Sequence, residues 1–221
     1  MRYAVLVLFT SASLLLGACA SQPAAVAVGT SETAPGVAGA PGAPVSVNPY
    51  LQGREAVPPA VQRQFDQARV LIEAQEWQGA VLELQALTQA HPELSGASLN
   101  LALVYQQTGD TEQAQHWFQQ SIEANPHNIA AYNEYGIFLR KQGHFEEAEL
   151  VYLKALEQWE ESADSHRDIG ILYDLYLGDS DKALQHYRRY QALTGAQDRA
   201  VAGWISDLER RTPSIAKGEE P

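Results

Sequence analysis

The chain has 221 residues and a formal net charge of -12, because 27 acidic residues outnumber 15 lysines and arginines. A chain this acidic repels phosphate backbones and anionic lipid head groups, so we expect neither nucleic acid nor a bare membrane surface as a partner. One cysteine cannot form an internal disulfide, so packing alone must hold the folded part together.

The segment 1–18 has the composition of a secretory signal. One basic residue, Arg2, precedes an uncharged apolar run from Tyr3 to Leu16, which is too short to span a bilayer comfortably. The segment Leu16-Gly17-Ala18-Cys19 resembles the signal of bacterial lipoproteins. This resemblance implies cleavage before Cys19 and attachment of lipid to that cysteine, so the segment 1–18 would be removed. The alternative is an ordinary secretory peptide with an incidental cysteine.

The residues after Cys19 indicate a destination. Ala20 and Ser21 follow it, and the absence of an acidic residue at this place resembles the signal for export to the outer membrane. We therefore expect a protein of the outer membrane that faces the periplasm. Its contact with the membrane would be the lipid anchor alone.

Residues 19–57 are predicted to form a lipidated, disordered tether. They are rich in Ala, Pro, Gly, Val and Ser, and they cannot bury enough apolar area to offset the entropy of ordering. A random coil of this length spans roughly 35 Å. The alternative is a segment that orders on a partner, and Val45 to Leu51 suits this best. The C-terminal residues 212–221 are predicted to be a polar, mobile tail.

Side-chain size recurs with a constant period between these two segments. A small residue and, three positions later, a large one occupy equivalent places in four units, at Ala68 and Leu71, Ala102 and Tyr105, Gly136 and Leu139, and Gly170 and Tyr173. A second column has alanine followed by a large residue, at Ala80 and Leu84, Ala114 and Phe118, Ala148 and Tyr152, and, one position late, Ala183 and Tyr187. Small residues in the middle of two helices allow their axes to approach, and large ones fill the space beside that contact.

This pattern resembles the tetratricopeptide repeat family, in which helix–turn–helix units of about 34 residues stack into a right-handed superhelix with a concave binding face. The resemblance implies an all-α fold, an α-solenoid of about four units within residues 58–211. We place the units at 61–94, 95–128, 129–162 and 163–197. The predicted helices are 60–74, 77–90, 95–108, 111–124, 129–142, 145–159, 163–176 and 180–193, with the additional turn residue of the fourth unit in 175–181. A capping helix at 198–211 should cover the fourth unit with one apolar face.

No residue pattern indicates catalysis. The sequence has no Gly-rich phosphate loop and no serine in a nucleophile elbow, and no two of its six histidines have the spacing of metal ligands on one helix face. Glu146, Glu147 and Glu149 lie on the outer face of one helix, where a solvated surface explains them. We therefore expect no enzyme, no cofactor, no metal and no small-molecule substrate.

The first helix of each unit is expected to line the concave groove. The candidate partner-binding residues are Phe65, Leu99, Asn100, Leu103, Asn133, Ile137, Arg140, Lys141, Arg167 and Ile171. Apolar residues recur along this wall, and the asparagines and basic groups beside them can hold a peptide backbone or carboxylate. We hypothesise that an extended or helical peptide segment binds there. The alternative is that these residues make ordinary contacts between helices.

The predicted function is a non-catalytic scaffold for protein–protein interaction. It would capture a partner in the periplasm while an envelope machine is assembled. The chain resembles the pilotin-type lipoproteins of type IV pilus systems, which are built from the same repeats and help an outer-membrane secretin to insert. The alternatives are an adaptor of an energised complex of the TonB/ExbB-ExbD or gliding type, or an adaptor of peptidoglycan enzymes.

Overall fold

A computed structural model describes residues 46–52 and 57–212 of the chain. The predicted signal, Cys19, most of the predicted tether and residues 213–221 lie outside these ranges. Within them the structure contains helices and no strands. The α-helices are α1 (Pro59–Glu73), α2 (Trp77–Ala90), α3 (Ser95–Thr108), α4 (Thr111–Ala124), α5 (Ile129–Gln142), α6 (Phe145–Gln158), α7 (Ala163–Leu172), α8 (Ser180–Thr194) and α9 (Arg199–Arg211).

The helices form four consecutive hairpins that stack in sequence order. Each helix contacts its neighbours in the chain, and the first helices of successive hairpins also contact each other, α3 with α5 and α5 with α7. Helix α9 packs on α8 at the end of the stack. The predicted all-α solenoid of four units with a C-terminal cap is therefore confirmed.

Glycine and tyrosine interlock inside the third and fourth hairpins. A Cβ atom placed on Gly136 would lie 2.5 Å from the ring of Tyr152, and one on Gly170 would lie 2.7 Å from the ring of Tyr187. Both distances are far below van der Waals contact, so an alanine would not fit without movement. The small residue in the middle of α5 and of α7 is therefore what allows the second helix of each hairpin to pack so closely.

Glycine ends the first helix of the second and third hairpins. Gly109 and Gly143 adopt left-handed backbone angles, with φ of +84° and +83°, which end α3 and α5. Asp110 follows Gly109 immediately, and its carboxylate accepts a hydrogen bond of 3.1 Å from the backbone N–H of Gln113. This bond caps α4 at its N-terminus, so one helix ends and the next begins within two positions.

The fourth hairpin absorbs its additional residue inside a helix. Helix α7 ends at Leu172 and continues as a π-helical turn over Tyr173–Leu177, which Gly178 ends with φ of +70°. The additional residue of the fourth unit therefore lies in this π-helical turn, and the prediction that it lengthens the turn at 175–181 is wrong. The π-turn projects Tyr176 toward the third hairpin, where its ring centroid lies 5.0 Å from that of Phe145.

Two large hydrophobic clusters form most of the core, and a third, small one contains Ile129, Tyr132 and Ala155. One large cluster contains α1 and α2 with part of α3, and the other extends from α3 to α9. The side chains of Tyr105 and Trp117 pack against both large clusters. The first hairpin is thus joined to the second through Ala97, Leu101 and Val104 of α3, and the two aromatic residues connect its cluster to the larger one.

A short segment before α1 packs against the stack. We call residues 46–52 the N-terminal strap. The Ser46 hydroxyl donates to the Glu161 carboxylate at 2.5 Å and accepts from the indole N–H of Trp159 at 3.0 Å, while Asn48 caps a 3-10 turn at Pro49–Leu51. The prediction of disorder is therefore wrong for this part of the tether. The piece best suited to ordering does order, against the chain's own repeats.

A helix that crosses a bilayer must be both long and apolar. None of the helices in residues 46–52 and 57–212 combines the two properties to the degree that crossing requires.

Candidate partner-binding groove

Three of the predicted groove residues are buried by helix packing. Leu99, Asn100 and Asn133 are 3%, 4% and 8% exposed. The amide of Asn100 donates to the carbonyl of Gly96 at 2.7 Å, and the amide oxygen of Asn133 accepts from the hydroxyl of Ser165 at 2.6 Å. The structure therefore uses these side chains between and within helices and leaves little of them open to a partner.

An aliphatic strip remains partly accessible. Leu103 of α3, Ile137 of α5 and Ile171 of α7 occupy equivalent places in three successive hairpins, and each packs against the core while part of it stays exposed. Phe65 has the same intermediate exposure in α1. These four residues are the apolar part of the predicted groove that the structure leaves accessible.

The three predicted basic residues have different environments. Arg167 forms salt bridges with Asp164 at 3.3 Å and Asp168 at 3.1 Å, so its charge is already compensated. Lys141 is exposed to solvent. The guanidinium of Arg140 lies 5.6 Å from the ring centroid of Tyr176, and its Nη1 atom is buried with no hydrogen-bond partner among the described residues.

Two acidic groups, Glu134 and Asp168, accompany these basic residues. The repeat spacing predicts Asp168 on this wall, whereas Glu134 is not among the predicted groove residues. Burial raises the pKa of the Glu134 carboxyl, and the nearby Asp168 raises it further. Burial also raises the pKa of Asp168, although the guanidinium of Arg167 opposes this shift. Glu134 stands one repeat before Asp168 in the sequence, so the same spacing could have placed it on this wall as well.

Two core tyrosines lie close to the charged residues of the first helices. The rings of Tyr152 and Tyr187 cross Gly136 and Gly170, which places their hydroxyls among charged residues of the first helices. Burial raises the pKa of the Tyr187 hydroxyl, and the nearby carboxylate of Asp174 raises it further. Asp174 also forms a salt bridge of 3.1 Å with Arg211 of the cap. The Tyr152 hydroxyl is buried and has no partner in the described part of the chain.

The described cavities lie away from this wall. One of about 280 Å³ is lined by residues at the start of α4 and the end of α5, and another of about 210 Å³ lies between α2, α3 and α4 beside Trp117. No three His, Cys, Asp or Glu side chains within 46–52 and 57–212 come together as a metal site.

The sequence profile of the tetratricopeptide repeat matches residues 65–129, 99–165 and 136–200, which together cover more than half of the chain. The chain belongs to the tetratricopeptide repeat family. Tetratricopeptide repeat folds are typically interaction scaffolds without enzyme activity, and such proteins bind peptides or other proteins. The predicted class of fold is therefore confirmed.

Solved tetratricopeptide repeat proteins have the same architecture. PilF of Pseudomonas aeruginosa superimposes with a TM-score of 0.61 at 19% identity, over 73% of this chain and 78% of that one. MamA of Desulfovibrio magneticus superimposes with a TM-score of 0.58 at 13% identity, over 73% of this chain and 92% of that one. YrrB, described as having an unusual peptide-binding site, superimposes with a TM-score of 0.53 at 20% identity, over 67% of this chain and 75% of that one. At these identities the similarity establishes the fold.

A curated tetratricopeptide repeat relative matches a shorter stretch. Photosystem I assembly protein Ycf3 of Rippkaea orientalis is 36% identical over 70 residues, which are 28% of this chain and 40% of that protein. The chain thus spans less than half the length of this relative.

Proposed function

We propose that this protein is a non-catalytic scaffold that holds a segment of a partner protein in its concave groove. The observation that carries the proposal is the aliphatic strip of Leu103, Ile137 and Ile171, which is partly accessible beside Arg140 and Lys141. Apolar side chains next to basic groups suit a peptide, because they bind its side chains and its carbonyl or carboxylate oxygens.

The proposed setting is the bacterial envelope. Cys19 would carry lipid that anchors the protein to the periplasmic side of the outer membrane, and the repeats would assist assembly of a pilus-type machine, as pilotin-type lipoproteins do. The lipoprotein-like segment Leu16 to Cys19 supports this proposal, and so does the absence of an acidic residue at Ala20 and Ser21. An adaptor role in another envelope complex is the alternative partner class.

The anchor is tested by replacing its cysteine. Cells that express the natural protein, labelled with a lipid precursor, should carry the label in the outer-membrane fraction. The Cys19→Ser variant should lose the label and leave this fraction as a soluble or uncleaved form, whereas Ser21→Ala should behave as the natural protein. Unchanged membrane association of Cys19→Ser would contradict the anchor.

The groove is tested by photocrosslinking in intact cells. A photoreactive phenylalanine analogue at Ile137 or Ile171 should link to one envelope protein, while the analogue at Leu82 on α2, which is 68% exposed, is the control for surface proximity. A linked secretin subunit supports the pilotin-like role, and a subunit of an energised complex supports the adaptor. If only Leu82 forms a crosslink while both groove variants remain folded, the groove is not the binding surface.

A further inference from the structure

The N-terminal strap rests on the edge of the groove where the first helices of the hairpins begin. At one end, the Tyr50 hydroxyl lies 3.7 Å from the position of a Cβ atom on Gly96, the second residue of α3. At the other end, Ser46 bonds to Trp159 and Glu161 in the loop before α7. The strap thus extends along this edge from the second hairpin to the junction of the third and fourth.

Both ends of the strap lie next to residues of the predicted groove. Gly96 stands seven positions, about two helical turns, before Leu103 of the aliphatic strip, so the two residues lie on the same side of α3. The carbonyl of Gly96 accepts from the amide of Asn100 at 2.7 Å. At the other end, Ser165 in the first turn of α7 donates to the amide oxygen of Asn133 at 2.6 Å. The strap therefore occupies one edge of the groove.

The residues that receive the strap have a defined chemistry, and we call Gly96, Trp159 and Glu161 the rim. The backbone N–H and the hydroxyl of Ser46 both donate to the Glu161 carboxylate, and the hydroxyl accepts from the indole N–H of Trp159 at 3.0 Å. A carboxylate beside an N–H donor suits a hydroxyl, which donates and accepts at once. Four positions later, Tyr50 uses the space that Gly96 leaves open.

The strap holds its own shape. The side chain of Asn48 accepts from the N–H of Tyr50 and its carbonyl accepts from the N–H of Leu51, both at 2.9 Å. The amide of Gln52 donates to the carbonyl of Val47, also at 2.9 Å. These bonds lie within the strap, and Asn-Pro at its centre favours a turn. A separate peptide with this turn can therefore present the same side chains to the rim.

The contact of the strap with the solenoid is shallow. None of the seven strap residues is fully buried, and the side chains of Val47 and Leu51 are 61% and 56% exposed. The hydrogen bonds to Glu161 are at an exposed place. Such bonds contribute little net stability, because water replaces them when they break. A competing segment can therefore displace the strap.

We propose that the rim is a peptide subsite of the groove and that the strap is its intramolecular competitor. The subsite takes a partner segment in which a hydroxyl-bearing residue is followed, four positions later, by a tyrosine. The inference rests on the proposed function, since it names part of the segment that the groove binds. A short stretch of chain joins the strap to α1, so its effective concentration at the rim is on the order of millimolar, and the partner segment must compete with it.

The test uses the full-length protein in detergent and the peptide acetyl-Ala-Ser-Ala-Asn-Pro-Tyr-Ala-amide, with binding measured by nuclear magnetic resonance titration. Tyr50→Ala weakens the strap, so this variant should bind the peptide about tenfold more tightly than the natural protein. Leu51→Ala, which changes an exposed side chain of the strap, is the control and should bind as the natural protein does. Equal affinity of all three proteins, or tighter binding by the natural one, overturns the competition.

Peptide variants test what the rim recognises. With the Tyr50→Ala protein, replacing the Ser of the peptide by Ala should weaken binding about tenfold, because it removes the two hydrogen bonds of the hydroxyl. Replacing its Tyr by Leu should weaken binding by a similar factor. If both altered peptides bind as tightly as the original, the rim does not select this chemistry and the proposal is wrong.

A rim variant shows where the peptide binds. Gly96→Leu, introduced into the Tyr50→Ala protein, fills the place of the tyrosine ring and should abolish binding. Gly203→Leu on α9, where nothing lies within 4 Å of an added Cβ, is the matched control and should leave binding unchanged. The thermal midpoints of both should not fall, since leucine favours a helix more than glycine does. A folded Gly96→Leu variant that still binds the peptide would place the subsite elsewhere.

Failure of this inference is distinct from failure of the proposed function. If groove crosslinks from Ile137 form in cells but the peptide does not bind the Tyr50→Ala protein, the groove binds a partner and the rim subsite is wrong. If the peptide binds the rim but neither Ile137 nor Ile171 forms a crosslink in cells, the subsite is real and the proposed function of the groove is wrong.

Discussion

Gly136 and Gly170 each leave room for a tyrosine ring from the next helix. The space that a side chain would need is already occupied, since an added Cβ would lie 2.5 Å and 2.7 Å from the two rings. Tyr152 and Tyr187 could not cross the first helix of their hairpins otherwise. The absence of one methyl group at each position therefore determines both the packing of the hairpin and the place of the hydroxyl groups.

Gly136→Ala should lower the free energy of unfolding by about 1–3 kcal/mol, because an overpacked core must shift its backbone or its rings. Urea unfolding monitored by circular dichroism measures the change. Gly203→Ala on α9 is the control, since nothing lies within 4 Å of its added Cβ, and a helical alanine should raise stability by up to about 1 kcal/mol. Equal effects of the two substitutions would contradict the packing argument.

His166 and His186 connect the two helices of the fourth hairpin by their ring nitrogens. Nε2 of His166 donates to the carbonyl of Glu160 at 2.9 Å, so its Nδ1 is the acceptor for Nδ1–H of His186, also at 2.9 Å. A second proton between the rings would bring two N–H groups face to face. Burial lowers the pKa of both imidazoles, that of His186 to about 4.

Stability should fall on acidification for this reason. The folded imidazoles bind protons less readily than the unfolded ones, so their contribution is present above about pH 6.5 and is lost as the pH falls toward about 4. We expect a loss of about 2 kcal/mol between pH 7.5 and 4.5, measured by urea unfolding. The raised pKa values of Glu134 and Asp168 act in the opposite direction.

The loss of unfolding free energy between pH 7.5 and 4.5 is compared between the natural protein and a His186→Gln variant. The difference between the two losses is the contribution of the histidine pair. The acids are present in both proteins and cancel in the comparison. The other charged group of α8 near His186 is Lys182, which also lowers its pKa, and it too is unchanged. A variant whose stability falls with acidification as steeply as that of the natural protein would exclude the histidine pair as the cause.

At the scale of elements, the helices differ in whether a side chain caps their first turn. Asp110, Asn128, Ser162, Asp179 and Asp198 accept from backbone N–H groups at the starts of α4, α5, α7, α8 and α9. Helices α2 and α6 begin after Glu76 and His144, whose side chains form no such bond. The caps satisfy donors that a helix cannot pair internally.

Asp110→Ala should therefore lower the free energy of unfolding by about 1 kcal/mol, since it removes the acceptor of the Gln113 N–H bond. Glu76→Ala occupies the corresponding place before α2 and should change stability by less than about 0.5 kcal/mol. Both changes in the free energy of unfolding are calculated from denaturant midpoints, with the same dependence of that free energy on denaturant concentration for each variant. A comparable loss from Glu76→Ala would show that charge at the helix start, and not the side-chain bond, is responsible.

The repeat period and the glycine-containing turns were enough to predict most helix bounds, because both act through local backbone geometry. They could not place the additional residue of the fourth unit, since a longer turn and a π-turn displace Ala183 equally. They also could not tell an open groove position from a buried one. Asn133 lies on the expected side of α5, but whether Ser165 covers it depends on how closely α7 packs.

At the scale of the whole molecule, the two large clusters share few residues. Tyr105 and Trp117 pack against both, and the first hairpin, at the end of the stack, packs mainly on one other hairpin, the second. In a stack of this kind each unit is stabilised mainly by its neighbours. Loss of a shared residue should therefore affect the end unit most.

Trp117→Ala should lower stability by about 3 kcal/mol and should release α1 and α2 before the remaining helices. Hydrogen exchange with mass spectrometry would show faster exchange in α1 and α2 than in α6 and α8. The exposed Leu82→Ala on α2 is the control and should leave both regions unchanged. Uniform acceleration throughout the solenoid would mean that it unfolds as one unit and that the two clusters are not separable.

The N-terminal strap changes where mechanical load enters the molecule. The chain reaches the stack at Ser46, beside Trp159 and Glu161 of the loop between the third and fourth hairpins, and not at the start of α1. Tension applied along the chain ahead of Ser46 would first stretch these hydrogen bonds. Only after they break would the force reach the first hairpin, so the strap protects this end unit from being pulled open.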